Sequence, residues 1–271
     1  MNFTDKLLAA SEKNKSLLCV GLDPDPAHMP LSDVLEFNKA IVDATKALVC
    51  AYKPNLAFYE ALGIPGIVTL QRTIEYIPDS IPIIGDAKRG DVGHSAEAYA
   101  RALFSVFNFD AITVSPYLGF DSLEPFISYS AKGIFILCRT SNLGSSDFQD
   151  LRIDGLPLYM AVAAKAKEWN VHGNVGLVVG ATYPKELEKV RSMCPSMHLL
   201  IPGVGAQGGD LASAINYGVG IGGGKAIVAV SRQILYASRD ADFAEAARST
   251  AKKIRDQINL YLVDSGGVTS D

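Results

Sequence analysis

A chain of 271 residues that is 48% hydrophobic can bury a full core, and its net charge of −4 argues against a nucleic-acid binder, which needs a basic stripe to neutralise phosphates. Four scattered cysteines with no CxxC spacing (Cys19, Cys50, Cys138 and Cys194) argue against a disulfide framework or a zinc site. No stretch reaches the roughly 18 apolar residues of a membrane span, and MNFTDKLLAASEKNK lacks the form of a signal peptide, so the expected setting is cytoplasmic, without membrane partners.

Eight short apolar, β-branched runs follow one another. They are SLLCVGL (16–22), LVCAYK (48–53), IPIIGDAK (81–88), AITVSP (111–116), GIFILC (133–138), GLVVGA (176–181), HLLIPGVG (198–205) and AIVAVS (226–231). They are apolar throughout rather than alternating, as expected of strands covered on both faces. Amphipathic stretches lie between them, such as FNKAIVDATKALV (37–49), SAEAYARALFSVF (95–107) and LPLYMAVAAKAKEW (156–169). This alternation predicts a single α/β domain over residues 1–271, a closed (β/α)8 barrel of the TIM type, with a doubly wound sheet as the alternative. The polar tail SGGVTSD (265–271) is expected to fray.

In such barrels chemistry belongs to the C-terminal ends of the strands. Those ends carry Asp23, Lys53, Asp86 with Lys88, Ser115, Thr140 with Ser141, Thr182, and Ser231 with Arg232. Any one could be a solvated loop residue; as a set, charges and hydroxyls aimed into one mouth are hard to explain by packing. Asp86 and Lys88 are two apart on a strand and so should share a face. Asp91 follows at the loop, and with Lys53 on the neighbouring strand these four charges sum to zero. Lys53 could instead snorkel at the rim.

A phosphate site is suggested by the turn Pro202-Gly203-Val204-Gly205-Ala206-Gln207-Gly208-Gly209 after the seventh strand and by Arg232 after the eighth. Glycines let backbone N–H groups approach an anion, and an arginine can grip it with two donors. The cluster Gly222-Gly223-Gly224 reads as a turn on the other rim. His94 reads as solvated or capping, and His28, His172 and His198 are isolated. Trp169 looks like helix packing, and Tyr117 could shape the mouth.

GLDPDP, YKPN, IIGDAKRGD, TVSPYLG, CRTSN, PGVGAQGGD and the arginine after the eighth strand, in that order, closely resemble the orotidine 5'-phosphate decarboxylase family, specifically its larger bacterial subgroup with the DAKRGD signature. The likeness covers about residues 15–235. It implies decarboxylation of orotidine 5'-phosphate to uridine 5'-phosphate, the last step of UMP synthesis, with no cofactor and no metal. It also implies roles: Lys88 as proton donor to C6, Asp86 facing the substrate carboxylate, Lys53 linking ribose to that network, and Asp91 reaching across a homodimer interface. Asp23 would hold the ribose hydroxyls, Ser95 would lie near the base, Ser141 would read the pyrimidine edge, and Gln207 and Arg232 would hold phosphate. The segment after Asn142 departs from the family pattern, with Leu143-Gly144-Ser145 where a proline is expected.

Three rivals stand beside this reading. A magnesium-dependent sugar-phosphate enzyme on the same barrel would want a further acid near the second or third strand, where Gly85 precedes Asp86. A Schiff-base aldolase could use Lys53 or Lys88. An inert phosphate binder would have no need of both lysines and both acids.

Overall fold

The computed structural model describes residues 1–205, 208–219 and 225–264. All eight apolar runs are strands: β1 (Leu18–Leu22), β2 (Ala51–Pro54), β3 (Ile84–Arg89), β4 (Ala111–Val114), β5 (Gly133–Arg139), β6 (Val175–Val179), β7 (Leu199–Pro202) and β8 (Ala226–Val230). They pair in parallel in the order β2-β1-β8-β7-β6-β5-β4-β3. The Tyr52 N–H donates to the Pro82 carbonyl at 3.0 Å, and bridges join Tyr52 to Ile83 and Asn55 to Asp86. These contacts bring β2 against β3 and close the sheet into a (β/α)8 barrel. A doubly wound sheet would reverse its strand order and leave two edges apart.

The apolar strands divide their side chains between two cores, as a period of two requires. Outward residues such as Leu18, Val20, Ile112, Val114, Leu177 and Val228 pack under the helices. Inward residues such as Cys19, Ala51, Ile84, Phe135, Leu200 and Ile227 fill the barrel.

The barrel's lower end is plugged by the first helix, Phe3–Asn14, which starts on an Asn2 side-chain cap (2.8 Å from the Asp5 N–H) and stops at Lys15 in the left-handed region. Its Phe3 and Leu7 enter the inner core, and Phe3 meets Phe135 edge-on at 5.8 Å. Each such buried side chain contributes about 1.5–3 kcal/mol. The close approach demands glycine at 133, where a Cβ would stand 2.5 Å from the Phe3 ring.

Two expected helices keep their place with shifted ends. The stretch expected at 37–49 is helical over Val34–Thr45, started by the Asp33 side chain, which accepts from the Leu35 and Glu36 N–H groups. The stretch at 95–107 is α-helical over Gly93–Arg101 and widens to a π-helical turn over Ala102–Val106. After β5 the chain makes an excursion absent from the sequence reading: a 3₁₀ turn at Leu143–Asp147, then a hairpin pairing Arg152–Ile153 with Leu156–Pro157, before helix Leu158–Trp169. Trp169 packs against Phe120 at 5.4 Å. All four cysteines are free and buried. Among the described residues no helix is long and apolar enough to cross a membrane. The tail 265–271 and the Gly222–Gly224 cluster lie outside the described residues.

Candidate active site

The strand C-termini open on a cavity of about 560 Å³. Its floor is the uppermost inward layer of the barrel, and that layer is divided. β2, β3 and β4 contribute Lys53, Asp86 and Thr113, whereas β5 to β8 contribute Leu137, Val178, Leu200 and Ala229. Charge is thus confined to one side, and the other side is apolar.

Asp86 is the hub of the polar side. One carboxylate oxygen accepts from Lys53 Nζ at 2.7 Å; the other accepts from Lys88 Nζ at 2.5 Å and from the Thr113 hydroxyl at 3.0 Å. The two lysines differ sharply in exposure, 7% for the Lys53 side chain and 49% for that of Lys88. Burial disfavours the charged Lys53, but Asp86 and Asp23 outweigh it and hold the ammonium above its ordinary value. Burial likewise pushes the Asp86 carboxyl up, and Lys53 and Lys88 together overcome it and hold it well below the carboxylate range. Both groups are therefore charged at neutral pH.

Asp86 and Lys88 meet, but not by simple strand alternation. The β3–β4 register shifts between Gly85 and Arg89, and Lys88 sits at φ +49°, a left-handed conformation rare for a side chain with a Cβ. Such a backbone stores on the order of 1–3 kcal/mol and is held only by its surroundings. Here the Lys88 N–H donates to Thr113 Oγ1 at 3.0 Å, and that same hydroxyl donates to Asp86. Thr113 therefore fixes both the backbone of the lysine and the carboxylate that receives it.

Across the mouth, Asp23 lines the wall above β1, with its Oδ1 buried and making no hydrogen bond within the protein. Tyr236 secures this loop, its hydroxyl donating to the Asp23 carbonyl at 2.9 Å and accepting from the Asp25 N–H at 2.7 Å. Gly203, Val204, Ser231 and Arg232 line the far rim. Arg232 is exposed, and its guanidinium makes no ion pair among the described residues. Gly203 and Gly205 have φ of +93° and +74°, which explains the glycines of this turn. Gln207 lies outside the described residues.

Of the residues singled out in the sequence, Asp23, Lys53, Asp86, Lys88, Ser141 and Arg232 therefore surround one cavity. Asp91 and Ser95 do not line it. Asp91 accepts from the Val92 N–H at 2.8 Å, and Ser95 is exposed on the helix Gly93–Arg101. Ser115 and Thr182 also stay outside the cavity. Ser115 closes on the Arg89 carbonyl through its own N–H, and the Thr182 hydroxyl donates to the Ser141 carbonyl at 3.2 Å. Tyr117 is 83% exposed and does not line the mouth; His94 is fully exposed. Sequence reasoning missed Thr113, Asn55 and Tyr236. Strand alternation could have found Thr113, which shares a face with Ser115 one step deeper in the barrel. Among the described residues no three His, Cys, Asp or Glu side chains are grouped to hold a metal.

A family model described as orotidine 5'-phosphate decarboxylase / HUMPS family matches residues 16–248. The chain belongs to that family. It is 52% identical to an orotidine 5'-phosphate decarboxylase of Roseiflexus sp. (strain RS-1) over 97% of this chain and 99% of that protein. A relative of the same name from Dehalococcoides mccartyi (strain BAV1) is 54% identical over 96% of this chain and 98% of its own length. Among solved structures, an OMP decarboxylase of Leishmania donovani superposes with a TM-score of 0.87 at 42% identity, covering 96% of this chain and 98% of that one. The family's fold is thus carried over the whole length of the cavity-bearing barrel.

Proposed function

We propose that the chain decarboxylates orotidine 5'-phosphate to uridine 5'-phosphate, with the C6 chemistry at Lys88 and Asp86. The observation that carries this is the Asp86 carboxylate held between two lysines on the cavity floor, in a chain whose full-length relatives are named for that reaction. Loss of carbon dioxide leaves electron density on C6, and an adjacent ammonium stabilises it and then delivers the proton. Lys88, half exposed to the cavity, is suited to that role; Lys53, buried beneath Asp86, is suited to holding the carboxylate in place.

The substrate's own carboxylate would be driven toward Asp86. Two unit charges about 4 Å apart at an effective dielectric near 20 repel by about 4 kcal/mol. Relieved as carbon dioxide leaves, that repulsion supplies about a thousandfold in rate. The remainder must come from remote contacts that hold the base against this stress. Arg232, the glycine turn and Gln207 would grip phosphate, the unsatisfied Asp23 Oδ1 would accept from a ribose hydroxyl, and Ser141 would face the pyrimidine edge.

Asp91 and Ser95 enter the same scheme through a second copy of the chain. Both lie outside their own cavity; Val92 and Tyr99 of the same stretch are exposed, as are Tyr117, Leu118 and Phe120 of the loop after β4, whose turn at Phe120–Ser122 meets the helix Gly93–Arg101. A cluster of that kind on one side of a barrel is suited to an interface. In a homodimer Asp91 would complete the partner's charge network and bring Lys53, Asp86 and Lys88 to neutrality.

The sugar-phosphate alternative finds no support at residue 85. A Cβ there would stand 2.9 Å from the Phe109 ring, on the face of β3 opposite Asp86, so an acid at this position has neither room nor access to the cavity. The deciding experiment is the loss of orotidine 5'-phosphate absorbance on adding protein, with and without EDTA. Rapid loss indifferent to chelator is expected. No loss redirects attention to sugar phosphates, and chelator sensitivity overturns the metal-free mechanism.

A further inference from the structure

Arg139, the last residue of β5, is the largest fully buried side chain among the described residues, at 2% exposure. The β5–β6 register shifts between Leu137 and Arg139, which turns this side chain out of the barrel and under the excursion that follows. One terminal nitrogen donates to Ser145 Oγ and to Gln149 Oε1 (3.3 Å), and the other pairs with Asp150 at 3.1 Å. The guanidinium also lies 3.8 Å from the centre of the Tyr183 ring.

Gln149 carries the hold to the other leg of the loop. Its Oε1 accepts from the Thr140 N–H at 2.9 Å, and its Nε2 donates to Thr140 Oγ1 at 2.8 Å. Thr140 Oγ1 in turn donates to Asn142 Oδ1 at 2.7 Å. One cation therefore ties both feet and the middle of the segment 140–150. That segment forms the cavity wall through Ser141, Asn142 and Phe148, and Thr140, Ser145 and Gln149 of the network itself also reach the lining.

Nothing apolar anchors the wall. Leu143, Phe148 and Leu151 are 90%, 63% and 54% exposed, and Ser145 is the segment's buried residue. The Arg139–Asp150 pair buries its cation but leaves Asp150 46% exposed, and such a pair is a poor source of stability. Its value lies in geometry, because the planar five-donor fork holds several acceptors in fixed relation.

We propose that Arg139 is a positioning residue: it holds the segment 140–150 as the pyrimidine-facing wall and so sets affinity for the base-bearing part of the ligand without touching it. This rests on the nucleotide reading above. Arg139→Met should weaken UMP binding by about tenfold or more, the scale of one lost charge-assisted hydrogen bond. Ribose 5-phosphate, which has no base, should bind within about twofold of the parent, since its contacts lie on the far rim. KM for orotidine 5'-phosphate should rise more than kcat falls, and Arg139→Lys, which cannot span three acceptors, should restore only part of the loss. Asp150→Ala, at a residue outside the cavity lining, removes Arg139's ion partner at the far foot of the segment, and it should show the same selectivity should Arg139→Met fail to fold. Calorimetry on the full chain with both ligands decides. Equal weakening of UMP and ribose 5-phosphate, or parental UMP binding in Asp150→Ala, overturns the proposal alone; an unaltered protein that binds no UMP overturns the nucleotide reading and this one with it.

Discussion

Replacing Asp86 by asparagine keeps the shape of the hub and removes its charge. Lys53, 5% exposed, then loses the carboxylate that accepts from it at 2.7 Å. Stripping one partner from a buried ion pair costs about 3–5 kcal/mol, and the second anion near Lys53, Asp23, favours the lower figure. For a chain of this size about 3 kcal/mol corresponds to a fall in Tm of about 6–12 °C. The same change removes the repulsion aimed at the substrate, so kcat should drop by about a thousandfold. The pH dependence has a definite sign. The Asp86 carboxyl is held low in the folded chain, so its contribution is present above the ordinary carboxylate pKa and is lost as pH falls through the native one. The Tm gap between parent and variant should therefore persist down to about pH 4 and narrow below it. Scanning fluorimetry across pH, with the absorbance assay at neutral pH, measures both effects. A variant with the parental Tm would mean that Asp86 does not balance Lys53, and turnover within about tenfold of the parent would remove electrostatic stress as a principal source of rate.

Lys88→Ala should abolish decarboxylation while leaving UMP binding largely intact, and normal turnover would end its assignment as proton donor. Mixed with Asp91→Ala, also inactive alone, it should regain activity, because a mixed dimer has one site with both residues; no recovery would place Asp91 in its own subunit's site. Arg232→Ala should weaken UMP binding by about tenfold to a hundredfold, read by calorimetry, and unchanged affinity would remove it from the phosphate grip. Burial, with Lys225 and Arg191 nearby, pushes the His198 imidazole down to about 4. Stability it contributes is complete above about pH 6.5 and declines toward pH 4, so between pH 7 and 5 the parent should lose about 2 kcal/mol more in urea unfolding than His198→Gln. Parallel losses would refute that.

Strands buried on both faces are unbroken apolar runs, so the barrel was legible from the sequence, and so were the charges at its strand ends. Ends and exits were less so. Lys88 was expected to face Asp86 by strand alternation, yet it arrives from a left-handed backbone pinned by Thr113, which no local pattern specifies. Ser115 and Thr182 looked equivalent to the other strand-end hydroxyls, but whether such a group faces the cavity depends on where each strand stops. Ser115 had already turned into its loop, and Thr182 supports Ser141 from behind. Arg139 was not singled out in the sequence, because its partners lie 6 to 11 residues on, across turns held by no apolar pattern. The first fifteen residues read only as lacking the form of a signal peptide; their helix and its destination at the barrel's floor depend on contacts with residues far along the chain, such as Phe135. Asp91 and Ser95, prominent in the motif, are among the described candidates that do not reach the cavity of their own chain.

The floor closed by Phe3 and Leu7 governs traffic through the barrel. With Phe135, Leu200 and Ile227 packed above that plug, no route runs down the axis, and everything that enters must leave by the same mouth. A nucleotide gripped at the rim through its phosphate, as proposed above, would then be the stopper of the vessel in which its own by-product is released. In the proposed scheme carbon dioxide would be generated beneath it at Asp86, across from the apolar half of the floor, and would have to pass around the base to escape. On that scheme departure would be ordered by anchorage: the small uncharged product would go first, and the anionic one, still tethered, would leave last and compete with the next substrate for the doorway.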